Sequence, residues 1–538
     1  MLAISSAATP PPPPPSPPRS FSRRHSGHCS AVALSPHADH PSEKKKVVVV
    51  GSGWAGLASA HHLTKQGFDV TVLGSGNGPA EEIGMRGFRY AYRNIFSLVD
   101  ELGIKPFTNW TRSAHFSPDG LEVEFPIFQD LPKLPAPFGA LLYPQFLRLP
   151  LVDRLTSIPL MAAGILFSTN VLFIDFDNTD IAWRKYDAMT ARELFKQFGC
   201  SERLYREAFE PFLQIGLFAP GEQCSAAATL GMLYYFFLAH QQNFDVLWCR
   251  GSVQNKIFTP WLESMKIYGC KFHGNSKVTD FILDGNNGTI AEVVCGQEAF
   301  QADAVILAEG VSAIQSTVSS SPVLQSREEF LQVLNLSSID VISLRLWLDR
   351  KVQILKPGNV CFGVDGLSGW TFFDLNSIYD EYEDEPATVL QADFAYARQL
   401  LPLKDDQIVQ KVVSCLSICI KELNGATVLQ HIVDRFPNSA THYFPGSYKY
   451  MMRGSSSFPN LFMAGDWIVT RHGSWSQEKA YVTGLEAANR VVDYFGDGSL
   501  AKIIAVEEDE PHIETLRSIN RRLGELRAEL PLSDFFLQ

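Results

Sequence analysis

The first apolar run with a clear structural reading is Val47 to Val50, a β-branched stretch of the kind a parallel strand buried on both faces carries. Gly51-Ser52-Gly53-Trp54-Ala55-Gly56 follows at once, Leu57 to Gln66 has helical text closed by Gly67, and Asp69 to Leu73 reads as a second strand. Strand, glycine turn, helix and strand occupy about 27 positions, the span of a βαβ unit. Beyond a loop at residues 74 to 84, Asn94 to Gly103 is a short amphipathic helix stopped by glycine, and the Pro-, Phe- and Leu-rich text from Leu121 to Leu149 marks a change of domain.

Helical patterning continues over Ala191 to Phe198, Leu204 to Phe212, Ala226 to His240 and Gly251 to Tyr268. Strands are expected within Lys271 to Leu283, over Ala291 to Gly296, and over Asp303 to Ala308, a buried strand type that returns the chain to the first sheet. Ile339 to Leu348 and Thr388 to Ala395 alternate as strands of a second sheet, with a helix over Val409 to Leu423 beside it. Leu461 to Gly465 and Trp475 to Phe495 then give the last strand and helix of the first domain, and Ile513 to Leu530 an amphipathic tail helix. Ile158 to Ile174 is mostly apolar but short for a spanning helix and interrupted by Gly164, Ser168, Thr169 and Asn170, so a buried segment is expected, with peripheral membrane contact and then a transmembrane span as the alternatives.

Composition narrows the function. The chain has 538 residues, 46% of them hydrophobic, and a formal charge of -12, with no basic block longer than Lys44-Lys45-Lys46. That length implies two to three domains, and that charge excludes nucleic acid as a partner. Its 9 cysteines show no Cys-x-x-Cys and no metal-ligand spacing, so reduced thiols and no metal are expected, with Cys415 and Cys419 as small apolar residues facing a core. Residues 1–42 lack any acid before Asp39 and are rich in Ser, Pro and Ala with Arg19, Arg23 and Arg24, the composition of a disordered transit peptide for a plastid or, second, a mitochondrion.

Gly51-x-Gly53-x-x-Gly56 carries the chemistry. Gly51 permits the tight turn, Gly53 lets a diphosphate approach the backbone, and Gly56 lets helix and strand pack closely, so free amides at the helix start face the phosphates. Gly74 stands where such a unit expects an acid for the ribose, with Ser75 or Asn77 as neutral substitutes.

Val47 to Leu73 resembles the N-terminal fingerprint of the flavin amine oxidase and carotenoid desaturase superfamily. Phe458-Pro459-Asn460-Leu461-Phe462-Met463-Ala464-Gly465-Asp466-Trp467, continued by Ser476-Gln477-Glu478-Lys479-Ala480-Tyr481-x-x-Gly484, is similar to its C-terminal flavin segment. Glu82-Ile83-Gly84 and Tyr92-Arg93-Asn94-Ile95 resemble the stretch after the dinucleotide loop of plant phytoene and zeta-carotene desaturases. The resemblance spans residues 47 to about 495, with specific motifs at both ends. It implies FAD lying across both halves, contacted by Gly51, Gly53, Trp54, Ala55, Gly56 and Ser75 at one turn and by Gly465, Asp466, Trp467, Ser476, Lys479 and Ala480 at the other. Asp466 would bond a ribityl hydroxyl or a water, and Lys479, where the family has glycine, would neutralise a phosphate charge.

Three departures stand out. Between Leu73 and Glu82 stands only a short Gly/Asn/Pro link where relatives carry a paired glycine and an arginine or lysine over some 20 residues, Ser476 replaces an aromatic residue of the amine oxidases, and Met451-Met452 stands in place of the Arg-Pro pair of desaturases, leaving the catalytic residues unassigned.

The expected fold is α/β, a discontinuous Rossmann-like FAD-binding domain with an inserted α+β substrate domain. FAD-binding parts are expected at 43–135, 246–312 and 446–498, substrate parts at 136–245 and 313–445, and a helical tail at 499–538. The expected function is an FAD-dependent, desaturase-like oxidoreductase of an apolar isoprenoid or carotenoid-like substrate, with a quinone or oxygen as electron acceptor. A flavin amine oxidase and a degenerate flavoprotein fold with a scaffold role are the alternatives.

Overall fold

The computed structural model describes residues 44–124, 149–159, 186–233, 245–285, 287–363, 369–470, 472 and 476–505. The expected transit peptide, the tail helix and nearly all of the apolar stretch from Ile158 lie outside them.

Folded structure opens with β1 (Lys46–Val50), α1 (Trp54–Lys65) and β2 (Asp69–Leu73), then α2 (Arg93–Leu102) and the hairpin β3 (Ser113–Ser117) and β4 (Gly120–Glu124). It returns through α3 (Thr259–Ile267), β5 (Lys271–His273) and β6 (Ala304–Leu307). Next come β7 (Ser337–Leu348), β8 (Gly358–Cys361), β9 (Trp370–Asp374), β10 (Val389–Ala395), α4 (Asp405–Cys419), β11 (Val428–His442), β12 (Leu461–Met463) and α5 (Gln477–Phe495).

One sheet has the order β12-β6-β1-β2-β5, every pair parallel. Its strands are buried on both faces: Val47 and Val49 enter a core shared with α1, α2, α3 and α5, whereas Val48 and Val50 enter a second core built with the helix Val311–Ser320 and the antiparallel strands Asp280–Leu283 and Ile290–Cys295. At about 1.5 to 3 kcal/mol per fully buried aliphatic side chain, the four valines anchor β1 at the centre of the molecule. This explains a continuous apolar run in place of an alternating one.

The second sheet is mixed, with the order β11-β7-β10-β9-β8-β3-β4, in which only β8 and β3 run parallel. Here period-2 alternation does the sorting. Ile342, Leu344 and Leu346 of β7 and Leu390, Ala392 and Phe394 of β10 face α4 across one core, while Ser343, Gln391 and Asp393 lie on the other face.

Several elements depart from the sequence reading. The helix near Val409 starts earlier, at Asp405, and ends at Cys419; at its start the Lys404 N–H donates to Gln407 Oε1 at 3.0 Å. The 15-residue β11 was not foreseen: it is an edge strand, largely exposed, containing Pro437 and the positive-φ Asn438, with a register shift opposite Ile339 and Val341. Two segments also sit differently from the expected domain boundaries. β3 and β4, within 43–135, belong to the second sheet, and Ile314, Val318, Phe330 and Val333, within 313–445, pack in the nucleotide core.

Candidate functional site

All strands of the first sheet run the same way, so the turns after β1, β6 and β12 share one edge, where α/β folds bind ligands. Gly51, directly after β1, donates its N–H to Leu73 O at 2.9 Å and has φ +112°, a conformation that favours glycine, with Ala308 O only 2.3 Å from where a Cβ would stand. Gly56 is equally crowded, 1.9 Å from Gly51 O by the same measure. Gly53 differs: an added Cβ would meet only Ala80 Cβ, at 3.8 Å. It is the N-cap of α1, whose start has no capping side chain and no acid in the first turn. A diphosphate fits this cradle, since a helix start without its own acceptor offers amide donors and the positive dipole end to an anion.

Trp54 and Ala55 contribute to that cradle through their backbone. The Trp54 ring is buried among Phe88, Phe258, Trp261 and Tyr481, and its Nε1 donates to Glu82 Oε1. Ser75 is exposed. At Gly74 a Cβ would stand 3.0 Å from the Phe272 ring and 3.2 Å from Ser52 Oγ, so the place of the expected acid is bordered by protein. The short loop that follows is well tied: Ala80 N donates to Ser52 O, Gln254 Nε2 to Pro79 O, and Asn275 N to Gly76 O.

At the second turn Gly465 has φ +140° and donates to Thr483 Oγ1 at 2.9 Å, and the buried Trp467 donates Nε1 to Glu309 O at 2.9 Å. Trp467 thereby fixes the turn to the strand end between the two glycine segments. Asp466 accepts from Thr441 Oγ1 at 3.2 Å, and its carbonyl accepts from the Tyr443 hydroxyl at 3.0 Å. Ser476 caps α5 by accepting from Lys479 N, and Ala480 follows in the first turn. Lys479 is buried, its Nζ 5.9 Å from the Tyr443 ring centroid, and burial pulls its pKa down to about 8 against the attraction of Asp466 and Glu486. The Lys479 charge thus feels the carboxylates of Asp466 and Glu486.

The two sequence-distant segments meet directly. A Cβ at Gly484 would lie 2.2 Å from Ala55 O, so α5 crosses α1 at the closest approach a helix pair allows.

Motif residues with no role assigned from sequence also find one. Glu478, fully buried, accepts from Asn94 N and Nδ2 and from Ile95 N, closing the start of α2 against α5; burial nevertheless raises its pKa to about 7. Glu82 lies beside Trp54, Gln477, Asp466 and Arg86, and burial pushes its pKa up. Asp393 of β10 accepts from Met85 N, Ser343 Oγ and Gln391 Nε2, which ties the Glu82-Ile83-Gly84 stretch to the second sheet, and burial likewise raises its pKa. No local pattern marks Asp393 as special; only its facing of Met85, 308 positions away in the chain, gives it a function.

Between this cluster and the second sheet lies a cavity of about 220 Å³. Phe212, Phe218, Met232, Trp248 and Phe373 give it apolar walls, and Arg86, Arg89, Gln214, Asn359, Asp393 and Gln477 are among its polar lining residues. The Arg86 guanidinium stands 5.0 Å from the Phe218 ring centroid. Apolar walls with a few convergent polar groups are the build of a small-molecule site. Among the described residues no cluster suits a metal ion, and no helix is long and apolar enough to cross a membrane.

A family-wide sequence pattern described as "Flavin containing amine oxidoreductase" matches residues 54–492. The chain is 23% identical over 473 residues to the 15-cis-phytoene desaturase of Synechococcus elongatus, covering 83% of this chain and 96% of the relative. It is also 23% identical over 475 residues to the chloroplastic/chromoplastic 15-cis-phytoene desaturase of an Oncidium hybrid cultivar, covering 84% and 79%. Among solved structures, cyclohexylamine oxidase from Brevibacterium oxydans superposes with a TM-score of 0.60 at 13% identity, covering 84% of this chain and 100% of that one.

Proposed function

Because the chain belongs to the flavin-containing amine oxidoreductase family, an FAD-dependent class of enzyme, we propose that it desaturates an apolar isoprenoid or carotenoid-like substrate. The observation that carries the reading is the meeting of two glycine turns at one sheet edge beside an apolar cavity. The printed activities of the two desaturase relatives support the substrate class.

Gly51, Gly53, Gly56 and the first amides of α1 would hold the diphosphate, and the Gly465 to Trp467 turn with the start of α5 would hold the ring system. When bound, FAD supplies the two-electron acceptance that turns a carbon–carbon single bond into a double bond. The protein's own part is positioning and exclusion of water. Phe212, Phe218 and Trp248 exclude water from a hydrocarbon chain, and Asp393 and Glu478 hold the cavity-side stretches in place. Asp393 would suit an ammonium substrate, which favours an amine oxidase as second reading; its three donors already satisfy it, so the hydrocarbon reading has the advantage.

Residues 1–42 would address the enzyme to a plastid, a reading supported by their composition and by the chloroplastic relative. A quinone or oxygen would take up the electrons. The test is to express residues 43–538, reconstitute with FAD, and supply phytoene in micelles with a quinone or with oxygen. New absorbance from a lengthened polyene supports the proposal. Inertness toward phytoene together with peroxide release from amines would replace it with the amine oxidase reading.

A further inference from the structure

Cys361 ends β8 and Cys419 ends α4, 58 positions apart in sequence, and their sulfur atoms lie 3.0 Å from each other. Both are free thiols. Cys361 is fully buried in the core between the second sheet and α4, and Cys419 is partly exposed at the end of the helix. A disulfide needs sulfur atoms about 2.05 Å apart, so closing this pair takes about 1 Å of side-chain adjustment. Cys415, one helical turn earlier, is buried in the same core.

We propose that Cys361 and Cys419 are a modification site, closing to a reversible disulfide when a hydroperoxide reaches Cys419. The Cys419 sulfur attacks the peroxide, an S–O bond forms as the O–O bond breaks, and one water leaves. The Cys361 sulfur then displaces the oxygen, an S–S bond forms, and a second water carries away the remaining thiol hydrogen. Two thiols and one hydrogen peroxide thus give one disulfide and two waters. Burial pushes the Cys361 thiol's pKa well above its ordinary value, which slows the second step.

The place of the bond gives it a consequence. Gly358 and Val360 of β8 line the substrate cavity, and Cys361 follows them on the opposite face of the strand. The disulfide therefore clamps a cavity-wall strand to α4 without placing any atom in the cavity. Among the described residues the partly buried Cys200 and the buried Cys249, each with a pKa raised to about 12, make no sulfur–sulfur contact.

The test uses the full chain with FAD, reduced and then exposed to hydrogen peroxide, alkylated and mapped by mass spectrometry without reductant. The expected product joins the Cys361 and Cys419 peptides with the loss of two hydrogens, is reversed by dithiothreitol, persists in Cys415→Ser and is absent in Cys419→Ser. A raised unfolding midpoint should accompany the bond. Full alkylation of both cysteines after peroxide, a link between Cys415 and Cys419, or links only between separate molecules would overturn the proposal. Cys419 is partly exposed at a helix end, so its serine variant keeps the fold, and the result does not depend on the identity of the substrate.

Discussion

Gly53 and Gly74 are both glycines of one nucleotide-binding unit, but their surroundings are opposite. Around Gly53 there is room for a side chain, so Gly53→Val should fold with an unchanged unfolding midpoint and lose FAD, checked by the absorbance retained after gel filtration; yellow protein would remove the diphosphate from this turn. Around Gly74 the Phe272 ring and Ser52 stand within 3.0 to 3.2 Å of where a Cβ would be, so a side chain there would have to displace them. Glu309 gives a pH-dependent prediction at the same scale. Burial raises its pKa from 4.5 to about 7, so the folded protein holds this proton where the unfolded chain has lost it. Its contribution is complete below pH about 4.5 and is lost as pH rises to about 7, with a ceiling of about 3 kcal/mol that solvent at the half-buried carboxyl lowers. Glu309→Gln should flatten that part of the stability profile in denaturant titrations at pH 5 and 7, and an unaltered slope would refute the assignment. The glycine motif was legible residue by residue because its chemistry is local, whereas the raised pKa of Glu309 was not, because burial is a property of the surroundings.

At the scale of elements, the crossing of α1 and α5 joins the two halves of the proposed cofactor site. Gly484→Ala puts a methyl 2.2 Å from Ala55 O, which the helices can relieve only by moving apart. Overpacking of this kind costs about 1–3 kcal/mol, so calorimetry should show a lower unfolding midpoint and titration a weaker FAD affinity in the same variant. A variant with full stability and full affinity would mean the helices are not held this closely. Most core elements were readable, since β1, α1, β2, β6, β7 and β10 declare themselves by apolar runs or alternation. The edge strand β11 did not, because polar residues such as Gln430, Asp434 and Arg435 interleave with Ile432, Val433 and Phe436 and leave no cleanly alternating apolar face, and pairing with β7 decides its conformation.

For the whole molecule, the parallel sheet supplies the proposed cofactor edge and the mixed sheet supplies a cavity wall. That division predicts that the two functions can be separated. Val360 lines the cavity and belongs to the second sheet, so Val360→Trp should fill substrate space, lowering turnover at least about tenfold while FAD retention stays at the level of the unaltered chain. Steady-state rates and flavin absorbance on one preparation check both halves, and joint loss of flavin and turnover would refute the separation.

The sequence by itself determined the βαβ unit and the two glycine turns, because these depend on short-range rules of backbone conformation and on residues adjacent in the chain, and its resemblance to the flavin amine oxidase and carotenoid desaturase superfamily pointed to the class of cofactor. Tertiary structure alone decided that Lys479 lies with Asp466, that Glu478 closes the start of α2, that Asp393 braces the cavity edge and that two cysteines 58 positions apart touch. Each of those relations is made by packing elements remote in sequence, and burial and charge take their values only once that packing is complete.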